Sequence, residues 1–73
     1  MESVYGKYMK GFFSGGEEYR IYLVPSGLFY ELYRWQTDYD YVPTLLYQED
    51  SMEAMYEHEM DIYEANADYD LNL

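Results

Sequence analysis

Carboxylates are the main candidates for binding or catalysis in this sequence, because it contains no cysteine and only one histidine. Four of them recur at steps of four, four and three residues, which places side chains on one face of a helix. Each step of four advances about 6 Å along the helix axis. We call this set the acidic ridge: Glu53, Glu57, Asp61 and Glu64. Asp68 extends the row if the helix continues. A row of negative charge with no interspersed cation favours a positively charged partner.

The same residue types form no recognisable catalytic or metal site. Asp38, Asp40 and Glu49 fall where the first, third and last ligands of a calcium-binding EF-hand loop would lie. However, Val42 and Pro43 occupy the positions that need an oxygen ligand and a turning glycine. The single histidine lacks the second histidine of a zinc-protease helix, and the chain is too short to enclose a dry pocket. We therefore expect no enzyme, no metal and no cofactor.

Charge is divided unevenly between the two halves of the chain. All four cations lie within residues 1–34, where four carboxylates balance them. The remainder carries the whole net charge of −11 and contains no lysine or arginine. This asymmetry predicts a neutral scaffold followed by a charged binding surface. It also excludes direct nucleic-acid binding, because phosphates would be repelled.

Aromatic residues supply the material for a core in a chain of only 73 residues. Twelve tyrosines, three phenylalanines and one tryptophan make up 22% of the sequence. Each aromatic side chain can bury about 150–250 Å². Twelve tyrosines exceed what such a core can hold, so several must lie at the surface, where tyrosine is a common contact residue.

Strands are predicted for the first half, which we assign to residues 1–35 as a neutral aromatic scaffold. Residues 19–24 and 28–35 are rich in aromatic and branched side chains. Pro25 and Gly27 between them suit a tight turn, which indicates a hairpin. Residues 8–13 suggest an earlier strand. The alternative is a short helix over residues 2–10, which Gly6 disfavours.

The second half is predicted as an acidic loop, a helix and a tail. Residues 36–49 contain Pro43 and several acids and read as a loop, with a short strand or docked turn at residues 45–47 as the alternative. Residues 50–66 read as an amphipathic helix with Asp50 as its N-cap. Its apolar stripe is predicted to contain Met52, Met55, Tyr56, Met60, Tyr63 and Ala67. Residues 67–73 are expected to fray.

These elements predict a single α+β domain, in which a short antiparallel meander of about three strands packs against one C-terminal amphipathic helix. The residues expected to bind a partner combine the ridge with flanking acids and tyrosines. They are Asp38, Tyr39, Asp40, Tyr41, Glu49, Glu53, Glu57, Asp61, Glu64 and Asp68.

In size, acidity and aromatic content the chain resembles the small phage-encoded inhibitors of bacterial defence, which include anti-CRISPR proteins and anti-restriction DNA mimics. The resemblance covers residues 38–70 and rests on composition and on the Glu53, Glu57, Asp61 row. It implies a protein that blocks the basic nucleic-acid site of its target by mimicry. An anti-CRISPR is the leading interpretation, because CRISPR effectors offer arginines that read the PAM and a positive channel.

Two other functions remain open. An acidic adaptor or antitoxin-like module would neutralise a basic partner without competing with nucleic acid. A structural subunit would bind through its aromatic sheet and use its acids for solubility alone. Because no leader and no long apolar run is evident, we expect a cytoplasmic protein without a membrane segment. Exposed sheet edges also allow a homodimer.

Overall fold

The structure, a computed structural model, describes residues 3–36 and 42–71. It confirms the α+β class, with an antiparallel meander followed by a C-terminal helix. The sheet has four strands in the order β1-β2-β3-β4, rather than about three. The elements are β1 (Lys7–Ser14), β2 (Glu17–Leu23), β3 (Tyr30–Trp35), β4 (Thr44–Glu49), α1 (Met52–Ala65) and α2 (Ala67–Leu71).

Turn residues account for the first two hairpins. Gly15 and Gly16 join β1 to β2 with φ angles of 60° and 79°, a conformation that glycine adopts without steric cost. After β2, the amide of Gly27 donates to the carbonyl oxygen of Val24 at 2.8 Å and closes the predicted turn around Pro25. The helix considered for residues 2–10 is not formed, because residues 7–14 pair with β2 instead.

The predicted acidic loop over residues 36–49 is wrong in its second part, where the alternative of a short strand at residues 45–47 is confirmed and extends to six residues. Thr44–Glu49 forms β4, an edge strand that pairs with β3. Pro43 lies immediately before this strand, where no ladder hydrogen bond from its nitrogen is needed. The register shifts between Leu32 and Tyr33, because β4 contains Leu46 as an extra residue at that point. The first part of the predicted loop, residues 37–41, lies outside the described residues.

The tail predicted to fray is also structured as far as residue 71. It forms the short helix α2, which a long-range contact ties to the β1–β2 hairpin. The Asp70 carboxylate accepts hydrogen bonds from the Ser14 hydroxyl at 3.1 Å and from the Gly15 amide at 3.0 Å. Asn66 donates to the same Ser14 hydroxyl at 3.2 Å. Contacts between residues more than 50 positions apart cannot be read from local pattern.

The hydrophobic core lies between α1 and one face of the sheet. Three side chains, Ile21 of β2, Leu32 of β3 and Met55 of α1, are fully buried. Around them pack further members of the same cluster: Phe12, Tyr19 and Ile62, with Tyr30, Leu46, Met52 and Tyr63 at its margin. The core therefore takes alternate residues of the strands and one stripe of the helix.

That stripe is rotated relative to the predicted one. Met52, Met55 and Tyr63 face the core as expected. By contrast, Tyr56 and Met60 are 47% and 63% exposed, and the buried positions are Glu59 and Ile62. The helix also begins one residue later than predicted, because Ser51 is the N-cap and its hydroxyl accepts from the Ala54 amide.

Adjacent positions of α1 should therefore differ sharply in their effect on stability. We expect Met55→Ala to lower the free energy of unfolding by about 2–5 kcal/mol, because it leaves a cavity in the core. Tyr56→Ala, the matched control, should cost less than about 1 kcal/mol, because that side chain is half exposed. Urea denaturation measures both, and equal losses would contradict this orientation of the helix.

Candidate functional site

The acidic ridge lies on the solvent side of α1. Glu53, Glu57, Asp61 and Glu64 are all exposed. This follows from the direction in which the helix packs, because Met55 and Ile62 lie on the opposite side of the same turns. From the first to the last carboxylate the ridge spans about 17 Å along the helix axis. The sequence prediction that these four residues share one exposed surface is therefore consistent with the structure.

No cation neutralises the ridge within residues 3–36 and 42–71. None of its four carboxylates forms an ion pair or a side-chain hydrogen bond there. Three cations have other partners: Lys10 pairs with Glu59, Arg20 with Glu18 and Arg34 with Glu17. The ridge thus presents its charge to solvent.

The remaining predicted contact residues do not all join this surface. Asp68 is exposed, but it belongs to α2, because α1 ends at its C-cap Asn66. The Glu49 carboxylate lies 2.6 Å from His58 Nε2, and the His58 ring stacks on Tyr47 with centroids 3.7 Å apart. Glu49 is therefore already engaged between β4 and α1. Four further predicted residues lie outside the described ones: Asp38, Tyr39, Asp40 and Tyr41.

Two apolar side chains that the prediction assigned to the core instead border the ridge. Tyr56 and Met60 line a surface depression together with Glu57 and Asp61. On the side of Tyr56 away from the ridge, Lys10 Nζ lies 5.3 Å from the centre of the Tyr56 ring. The ridge is consequently a mixed surface, with carboxylates beside an exposed apolar pair.

An ion pair between the half-exposed Lys10 and the buried Glu59 anchors α1 on the side away from the ridge. Lys10 Nζ lies 2.8 Å from the Glu59 carboxylate, which is 5% exposed. The hydrogen bond to Glu59 raises the pKa of Lys10, although partial burial opposes that shift. Burial, followed by a hydrogen bond to Glu59, raises the pKa of Tyr63. This pair is not among the features predicted from the sequence; its signal there is that Glu59 lies between Met55 and Ile62 at helical spacing.

The other face of the sheet carries a second layer of aromatic residues. We call it the aromatic face, and its members are Tyr5, Tyr8, Phe13, Tyr22, Tyr33, Trp35 and Leu45. Tyr5 contacts three of these rings, with centroid separations of 5.5 Å to Tyr22, 5.0 Å to Tyr33 and 5.9 Å to Trp35. Most of the contacts are tilted or edge-on, the geometry that aromatic pairs prefer.

Charged groups on this face are paired with each other or with the rings. The Arg20 guanidinium lies 4.3 Å from the centre of the Trp35 ring and bonds to Glu18 at 2.7 Å. The Tyr33 hydroxyl donates to Glu31 at 2.8 Å. Burial and that hydrogen bond raise the pKa of Tyr33 to about 12. The hydrogen bond to Glu18 raises the pKa of Arg20 above its usual range.

Exposed contact tyrosines are predicted from the sequence, but at residues 39 and 41, which lie outside the described residues. The signal for the aromatic face was present in β3, where Tyr33 and Trp35 alternate with the core residue Leu32. Two aromatics on the side opposite the core indicate that the second face of the sheet is apolar as well.

Within the described part of the chain, no three histidine, cysteine or carboxylate side chains lie together so that they could hold a metal ion. Among the same residues, no helix combines the length and apolar character needed to cross a membrane. A comparison with protein-family models, curated proteins and solved structures finds no match to this chain.

The raised pKa of Tyr33 predicts a loss of stability in alkali. Between pH 10 and about 12 the unfolded chain releases the Tyr33 proton while the folded chain retains it. The stabilisation is therefore intact below pH 10 and is lost as the pH rises through about 12. Urea denaturation across this range should show a shallower decline for Tyr33→Phe than for the unmodified chain. Parallel declines would contradict the assignment.

Proposed function

We propose that this chain is an inhibitor that binds a basic nucleic-acid-binding protein by phosphate mimicry, with a CRISPR effector as the target, and that it acts without catalysis. The observation that carries the proposal is the acidic ridge: four exposed carboxylates on one helix face, none of them paired with a cation in the described part of the chain. Residues 38–41 are included in the proposed surface as a prediction from the sequence alone.

The energetics of α1 support a functional origin for this arrangement. Like charges at three- and four-residue spacing destabilise a helix by about 0.2–0.5 kcal/mol per pair. Acids near the C-terminus also oppose the helix dipole, and the last turn of α1 contains no basic residue. A helix selected for stability alone would intersperse lysine or arginine. Sequence choices that work against local stability tend to mark function.

The geometry of the ridge also suits a nucleic-acid site. Its carboxylates advance by about 6 Å per step of four residues, and a nucleic-acid strand carries its phosphates at comparable intervals along a winding backbone. A protein site lined with lysine and arginine for phosphates would attract the ridge by long-range steering. CRISPR effectors provide such sites in the arginines that read the PAM and in the heteroduplex channel.

One observation favours a second candidate function. Tyr56 and Met60 border the ridge and are exposed, and a phosphate backbone has no apolar counterpart to them. An adaptor or antitoxin-like module would use these side chains together with the carboxylates to bind a basic protein. Such a module would bind with similar salt sensitivity but would not exclude nucleic acid.

A matched pair of variants tests whether the ridge, rather than net charge, is responsible. Glu57→Gln plus Asp61→Asn neutralises two carboxylates of the ridge and makes the net charge of the chain less negative by two. The control, Val4→Lys plus Leu28→Lys, raises it equally at side chains that are 88% and 68% exposed and lie away from the ridge. The measurement is the affinity of purified, guide-loaded CRISPR effectors for PAM-containing DNA, followed by fluorescence anisotropy.

The unmodified chain and the control should reduce DNA binding by at least one effector of the panel. The ridge variant should be roughly tenfold or more weaker, because each charge-assisted contact contributes about 1.5–3 kcal/mol. Equal inhibition by both variants would contradict a specific role for the ridge. Binding to an effector that leaves its DNA affinity unchanged would favour the second candidate.

A further inference from the structure

No helix or strand of the described chain packs over the outer side of the aromatic face, where Tyr5, from the segment before β1, lies against Tyr22, Tyr33 and Trp35. Phe13 is 69% exposed, Tyr8 is 55% exposed and Leu45 is 47% exposed. The strand register places all three on this side: Tyr8 pairs with Tyr22, Phe13 with Glu18 and Leu45 with Tyr33. Tyr8 and Phe13 lie on the β1 edge and Leu45 on the β4 edge, with Glu18 and Arg20 of β2 on the same face between them. Exposed large apolar side chains on one face of a sheet typically mark an interaction site.

The surface is already organised for contact. Tyr22 is 4% exposed although it faces away from the helix, because neighbouring rings surround it. Arg20 and Glu31 each have a partner on the same face. Binding here would immobilise few free side chains and would bury few unpaired charges. Its entropic and desolvation costs would therefore be small.

We propose that the aromatic face binds a second copy of this chain and forms a two-fold symmetric dimer. A two-fold axis parallel to the strands would place β1 of one copy over β4 of the other. Phe13 and Tyr8 would then lie against the partner's Leu45, so that the most exposed apolar residues cover one another. The same patch serves both copies, as a two-fold interface requires.

The sheet sets the size of such an interface. Its four strands contain six to eight residues each, and adjacent strands lie about 4.8 Å apart with a rise of about 3.3 Å per residue. The aromatic face therefore measures roughly 500 Å². This area is below the ~800 Å² that each partner buries in a standard stable interface and falls among the weaker interfaces, so we expect the dimer to form at high protein concentration.

Charge selects this face over the other surfaces for self-association. Each copy carries a net charge of −11, so contact through α1 would bring two acidic ridges together. Stacked aromatic faces would leave the two α1 helices on the outside, separated by three layer spacings of about 10 Å each. At physiological ionic strength this distance is more than three Debye lengths of about 8 Å, so the repulsion is largely screened. Both ridges remain free to bind partners.

Sedimentation equilibrium of the full chain tests the proposal with matched variants. Phe13→Ser plus Leu45→Ser removes exposed apolar side chains from the aromatic face. Leu28→Ser plus Met60→Ser removes side chains of similar exposure, 68% and 63%, from the β2–β3 turn and from α1. Circular dichroism establishes that both variants are folded.

We expect the unmodified chain to dimerise, and the aromatic-face variant to raise the dimer dissociation constant about tenfold or more. The control should change it less than about twofold. Added salt should leave the dimer unchanged or strengthen it. Emission of Trp35, the single tryptophan, should shift to longer wavelength on dilution as that side chain becomes more exposed.

A chain that stays monomeric at every concentration would overturn the proposal. So would a dimer that the control weakens more than the aromatic-face variant, which would place the contact on α1 or on the β2–β3 turn. A dimer unaffected by either pair would indicate pairing through the edges of β1 or β4, and it would overturn the aromatic face as the interface.

Discussion

The packing of α1 on one face of the sheet determines which surfaces this molecule presents to its partners. Met55 and Ile62 bury against Ile21 and Leu32, and this contact fixes which side of the helix meets solvent. The ion pair between Lys10 of β1 and the buried Glu59 of α1 stabilises the same orientation of the helix. The exposure of the ridge is therefore a consequence of core packing, and it does not depend on the acidic residues themselves.

The same packing divides the molecule into two unlike sides. Three of the four scaffold cations pair away from the ridge: Lys10 with the buried Glu59 of α1, Arg20 with Glu18 on the aromatic face and Arg34 with Glu17. None of these three neutralises the outer surface of α1, so its negative charge remains exposed to solvent. The opposite side is nearly neutral and rich in aromatic rings. We propose that the charged side recognises a basic partner and that the aromatic side joins two copies.

Much of the fold could be predicted from local sequence, because local physics determines it. Alternating aromatic residues and the Pro25–Gly27 turn indicate the β2–β3 hairpin, and helical spacing indicates α1. The failures have non-local causes. Tyr56 and Met60 resemble core residues in pattern, but Lys10, 49 residues from Glu59, allows that carboxylate to face the core instead. Similarly, β4 exists because β3 is available to pair with it, and α2 because Asp70 reaches Ser14. Residues 38–41 stay a prediction.

If the ridge mimics phosphates, it occupies a site on its partner where nucleic acid otherwise binds. Affinity capture from a bacterial lysate that contains CRISPR effectors, with successive elution by double-stranded DNA and by salt, tests this competition. We expect DNA to release a nucleic-acid-binding protein from the chain at an ionic strength at which buffer alone does not. Retention of all partners in the presence of DNA, with or without release by salt, would contradict mimicry.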